Sequence, residues 1–137
     1  MKIAEKKAYR SSVSKLEEAV TTLNTAAGFE MKADFDLSTV ETYDFEALGK
    51  SKADVLESLG NVASRIVEAM GEIAKDEDYK EALADVKELL FVPAADANGN
   101  TFDYDKSVSV DGAKMQIDYA PLAYMHGGYE RSIKDAF

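Results

Sequence analysis

Val55-Leu-Glu-Ser-Leu-Gly-Asn-Val-Ala-Ser-Arg-Ile-Val-Glu-Ala-Met-Gly-Glu-Ile73 is the stretch on which the fold turns. Within it Leu56, Leu59, Ala63, Ile66, Met70 and Ile73 are spaced 3-4-3-4-3. At about 3.6 residues per turn that spacing gathers them on one face of a helix. The helix is expected over 52–75, opened by Ser51 with Asp54 three residues on. Upstream, Tyr9, Val13, Leu16, Val20, Leu23 and Ala27 are spaced 4-3-4-3-4. They predict a first helix over 2–27, stopped by Gly28. Each helix carries an apolar stripe that needs a partner. Gly60 and Gly71 interrupt the second helix beside Ala63, Ser64 and Val67. An interior glycine costs about 1 kcal/mol relative to alanine, so close approach of another helix is expected there.

Between the helices, Phe29, Met31, Ala33, Phe35 and Leu37 alternate with Glu30, Lys32, Asp34 and Asp36. Period two over 29–37 predicts a strand with one wet face. Ser38 and Glu41 have the spacing of a capping box, which predicts a short helix reaching Leu48; alternation of Tyr43, Phe45 and Ala47 would instead suit a second strand. A third helix is expected over 79–91, capped by Asp78, on the stripe Tyr79, Leu83, Val86 and Leu90. Pro93 bars its continuation. Farther on, Asp111-Gly112 signals a two-residue hairpin, with Val110 facing Ala113 and Val108 facing Met115. Tyr129, Ile133 and Phe137 at i, i+4 and i+8 predict a short closing helix. The fold expected is a single α+β domain over 1–137: two long N-terminal amphipathic helices and a third, packed on a small antiparallel sheet with a C-terminal β-hairpin.

The chain has 137 residues and a formal net charge of −10. The charge is uneven. Residues 1–27 are net +2, with Lys2, Lys6, Lys7, Arg10 and Lys15 against three acids, whereas residues 28–49 are net −5. A chain this acidic repels phosphate backbones and anionic lipid surfaces, so neither direct nucleic-acid binding nor membrane binding is expected. With no cysteine there is neither a disulfide nor a thiolate metal site. No signal-like or spanning apolar run is present, and a soluble, cytoplasmic or otherwise intracellular location is expected.

Catalytic signals are sparse. His126 is the sole histidine and stands in no nucleophile motif. Ser12 and Lys15 match Ser-x-x-Lys without the companion motifs of that class. Asp96, Asn98, Asn100, Asp103 and Asp105 are rich in oxygen ligands, but Thr101 and Ser107 stand where a calcium loop needs Gly and Glu. No phosphate loop or dinucleotide fingerprint occurs. The reading is of a non-enzymatic interaction or assembly protein without a cofactor. It binds copies of itself, as a homo-oligomer, or another protein, a profile that small structural and accessory proteins share, viral ones included. The expected contacts are the helix stripes and a Tyr-rich C-terminal segment comprising Tyr124, Met125, His126, Tyr129, Ile133 and Phe137. Two alternatives stand beside it: an acidic inhibitor that occupies a basic, nucleic-acid-binding surface, and a small-molecule-binding domain.

Overall fold

The computed structural model describes residues 1–123 and 127–137. Helix α1 spans Ile3–Ala27 and ends at Gly28, whose φ of 74° fits the left-handed stop. The Asn24 side chain then ties the turn: its amide donates to the Met31 carbonyl at 2.9 Å and its oxygen accepts the Met31 N–H at 3.1 Å. Strand β1 follows at Lys32–Phe35, shorter than the expected 29–37, though Phe29 and Met31 are buried ahead of it. Ser38 opens no helix, because its N–H and hydroxyl both bond Asp36. A 3-10 turn at Val40–Thr42 and a one-turn helix α2 at Phe45–Leu48 stand in that place, the latter capped by Asp44. Helix α3, Lys52–Ile73, opens with a reciprocal capping box between Ser51 and Asp54.

Helix α4 covers only Glu77–Ala84, capped by Asp76 rather than Asp78. The expected third helix over 79–91 is therefore cut short, and Glu88–Pro93 forms strand β2. Leu89, Phe91 and Pro93 point into the core while Leu90 and Val92 take the other face. Pairing on both sides outweighs the helical spacing of Val86 and Leu90. Strands β3, Val108–Asp111, and β4, Lys114–Tyr119, make the hairpin, and helix α5 spans Gly127–Asp135.

The sheet order is β1-β2-β4-β3. β2 pairs parallel with both β1 and β4, and only β3 and β4 are antiparallel. This corrects the expected antiparallel sheet: α3 and α4 carry the chain back to the end from which β1 started, so β2 runs alongside it. In the hairpin, Val110 faces Met115 and Val108 faces Ile117. The turn sits one residue later than expected, on Gly112-Ala113, with Gly112 at φ 61°. Since the pairing partner moves by two residues, every side chain keeps its face.

One sheet face packs under the helices, with Leu89, Phe91, Met115, Ile117 and Tyr119 joined to Leu16, Leu59 and Ile66 in one buried cluster. On the other face Lys32, Asp34, Glu88, Leu90, Val92, Lys114, Gln116 and Asp118 all retain exposure. α1 and α3 lie side by side and run in the same direction: Glu5 meets Lys52, Lys15 meets Glu57, and Leu23 lies by Gly71. They touch most closely at Ser12 and Gly60, both buried. Ser12 Oγ donates to the Leu56 carbonyl, lies 3.1 Å from the Glu57 carbonyl and accepts the Gly60 N–H at 2.8 Å. A Cβ on Gly60 would fall on Ser12 Cα and 2.7 Å from the Ser12 carbonyl oxygen. Gly60→Ala should therefore force the helices apart and cost at least about 1–3 kcal/mol, read from the midpoint of urea unfolding. An unchanged midpoint would mean that the helices do not touch there.

Candidate functional site

Past the Ser12–Gly60 contact the facing side chains of α1 and α3 stay small, and a groove of about 680 Å³ opens between the helices. Its floor is Ala19, Leu23 and Ala26 from α1 with Val67 and Gly71 from α3. Leu23 and Val67 are the floor residues that also reach the core. The volume lies within the range of sites that take a small ligand or a few side chains. The two interior glycines of α3 prove unlike. At Gly60 the backbone of α1 excludes a side chain. At Gly71 an added Cβ would meet only Leu23 Cδ1, at 3.8 Å, an ordinary contact. Packing therefore does not require glycine at 71. What its missing side chain does is keep the groove floor open.

The rim is charged. Lys15 Nζ bonds Glu57 Oε1 at 2.8 Å and Asn61 Oδ1 at 2.7 Å, bracing α1 against α3. The Lys15 hydrogen bond, with another from Ser11, holds the Glu57 carboxyl below its ordinary range against an opposing desolvation. Lys75, just past the end of α3, pairs with Glu72 at 2.9 Å. Among the described residues, no ion pair engages Glu18 or Glu68, which face each other's helices across the groove. At the opposite end of α1, Lys2, Lys6, Lys7 and Arg10 are exposed and equally without a described ion pair. Ile3 stands among them 74% exposed, and Met1 is 50% exposed.

A second, smaller hollow lies beyond the carboxyl ends of β2 and β4, the end at which parallel sheets commonly hold ligands. It measures about 460 Å³ and is lined by Asn98, Gly99, Asn100, Tyr104, Leu122, Ala123 and Gly128. Asp96, beside it, spends its carboxylate on the loop, accepting the Thr101 N–H at 2.5 Å and the Thr101 hydroxyl at 2.9 Å. Those bonds hold it below the ordinary carboxylate range. Tyr43 donates to the Ala94 carbonyl, and burial, with the charge of Asp96, pushes its phenol well up. Among the described residues no group of three or more His, Cys, Asp or Glu side chains converges as a metal site would require.

The residues singled out from the sequence are scattered. Ser12 is buried in the helix contact and Lys15 is occupied by Glu57 and Asn61, so the Ser-x-x-Lys spacing serves packing. Tyr129 and Ile133 are fully buried. The Tyr129 hydroxyl accepts the Ala120 N–H at 3.1 Å, and its ring meets Tyr104 edge-on with centroids 5.2 Å apart. Ser132, which periodicity did not single out, docks α5: its hydroxyl oxygen accepts the N–H groups of Ser107 at 3.1 Å and Val108 at 3.0 Å. Phe137 is 46% exposed. Tyr124, Met125 and His126 lie outside the described residues. No family model, curated protein or solved structure matches the chain.

Two outcomes follow from these placements. Gly71→Ala should stabilise the fold by up to about 1 kcal/mol, the opposite sign to Gly60→Ala, in the same unfolding assay; a loss would show that the floor at 71 is already full. The buried phenols Tyr119 and Tyr129 and the partly buried Tyr43 are all raised by desolvation above their ordinary value. Their neutral form is favoured in the fold, so that stability is full below about pH 10, the unfolded phenol value, and is lost as pH rises beyond it. An ultraviolet titration should show these three ionising together with unfolding. Independent ionisation of all seven tyrosines in folded protein would contradict it.

Proposed function

We propose that the chain is a non-enzymatic self-assembly protein whose copies bind one another through the groove between α1 and α3. The observation that carries this reading is Gly71. A glycine that packing does not require, inside a helix that it weakens, leaves open a groove with an apolar floor and, on its rim, glutamates that no ion pair engages among the described residues. Helix-lined grooves of this kind receive another protein's side chains and exclude water around them. The chain supplies an occupant of matching chemistry itself, since its positive charge concentrates in residues 1–27 and its excess of acid elsewhere. The nucleophile-like and ligand-like residues of the sequence support the same reading, because Ser12, Lys15 and Asp96 are each engaged in holding the fold.

Light scattering over a dilution series should return an average mass above the 15.0 kDa of one chain, falling toward it on dilution. Ala26→Arg, at an exposed floor position, should fold normally and lower that mass. A single 15.0 kDa species at every concentration would overturn the proposal.

A further inference from the structure

We infer that the groove of one copy receives the outward face of the first turns of α1 from the next copy, so that assembly runs head to tail. The inference rests on the self-assembly reading and specifies its occupant and symmetry. Ile3, Lys6, Lys7 and Arg10 are spaced 3-1-3 and share one helix face. That face points away from the domain: Ile3, Lys6, Lys7 and Arg10 are exposed, while Glu5, Ala8 and Tyr9 turn toward the body. It is thus an exposed aliphatic side chain followed by three cations that form no ion pair among the described residues. The groove is its complement, an apolar floor at Ala19, Leu23 and Gly71 under the carboxylates of Glu18 and Glu68, which no ion pair engages among the described residues.

The same molecule cannot satisfy itself. Ile3 and Leu23 stand twenty residues apart in one helix, about 30 Å at 1.5 Å per residue. Nor does a two-fold arrangement of groove against groove fill either one, because each would offer the other only a hollow floored by Ala19, Ala26 and Gly71. At about 3.6 residues per turn the two patches lie roughly 140° apart around α1, so two copies cannot exchange both contacts across one interface; the contact is heterologous and propagates into a ring or an open filament rather than stopping at a dimer.

The test uses two variants of the full chain, each blocking one patch at exposed positions. Ile3→Asp removes the aliphatic anchor and sets an acid against the glutamates. Glu18→Lys with Glu68→Lys makes the rim repel the cations. Sedimentation velocity, with circular dichroism to verify folding, should show wild type as a concentration-dependent series passing beyond the dimer and each variant alone as a monomer. Mixed one to one, the variants should form a single species of twice the 15.0 kDa chain mass and nothing larger, since each supplies the patch the other lacks. An Ile3→Asp variant that assembles like wild type would overturn this occupant while leaving groove-mediated assembly standing. A mixture that stays monomeric would overturn the head-to-tail arrangement. A monomeric wild type would overturn the assembly reading itself.

Discussion

The Ser12–Gly60 contact is the constraint on which the rest of the molecule depends. Two long helices that run in the same direction can share one sheet face only if their axes come close, and here the closest point has no room for a single additional carbon. Serine on one side and glycine on the other solve two problems at once. Glycine lets the backbones approach, and the serine hydroxyl joins the neighbouring helix through its backbone groups instead of being buried without a partner. With the axes set at that distance, Leu16, Val20 and Leu23 reach the same layer as Leu59, Ile66 and Met70, and that layer closes over Phe91, Ile117 and Tyr119. Tyr119 completes the connection with its hydroxyl 3.2 Å from the Leu59 carbonyl.

What was legible in the sequence was whatever depended on local period. The stripes of α1 and α3 and the Ser51–Asp54 capping box all lie where spacing placed them. The strand content of Leu89-Leu90-Phe91-Val92 was hidden, because four apolar residues in a row fit either period, and pairing with two distant strands decides between them. Strand direction was misread for a related reason. Parallel strands usually show continuous apolar runs, as both of their faces are covered. Here β1 and β4 alternate cleanly, charged side outward, because only one face of the sheet is covered. The pattern reported solvent on one side and carried no information about direction.

The candidate site was half legible for the same physical cause. Periodicity marks a helix face that is buried, and it marked Gly60 and Gly71 as departures needing a reason. It could not separate a glycine forced by a neighbouring backbone from one facing an open groove, because that difference lies in three-dimensional distances. Tyr129 and Ile133 show the converse. Aromatic and aliphatic bulk near a chain end resembles a contact surface, yet Ser132 anchors α5 over β3 and turns both residues inward. What distinguishes them is a hydroxyl between two backbone donors far away in sequence, which no spacing rule reports.

The shared direction of α1 and α3 has an electrical consequence. Each helix carries a partial negative charge at its carboxyl end, and in a pair of opposed helices such charges would sit at opposite ends of the bundle. In this molecule they lie together. Neither last turn contains a basic residue, and Lys75, two residues past α3, is paired with Glu72. The groove extends to Ala26 and Lys75, at those same ends. Its negative potential therefore comes from the backbone as well as from glutamate side chains, and the backbone part does not titrate. Acidifying the solution enough to protonate every carboxylate on the rim would release Lys15 and Lys75 from Glu57 and Glu72 and leave the two helix ends as the groove's remaining negative charge, too little to hold a cation against those two lysines.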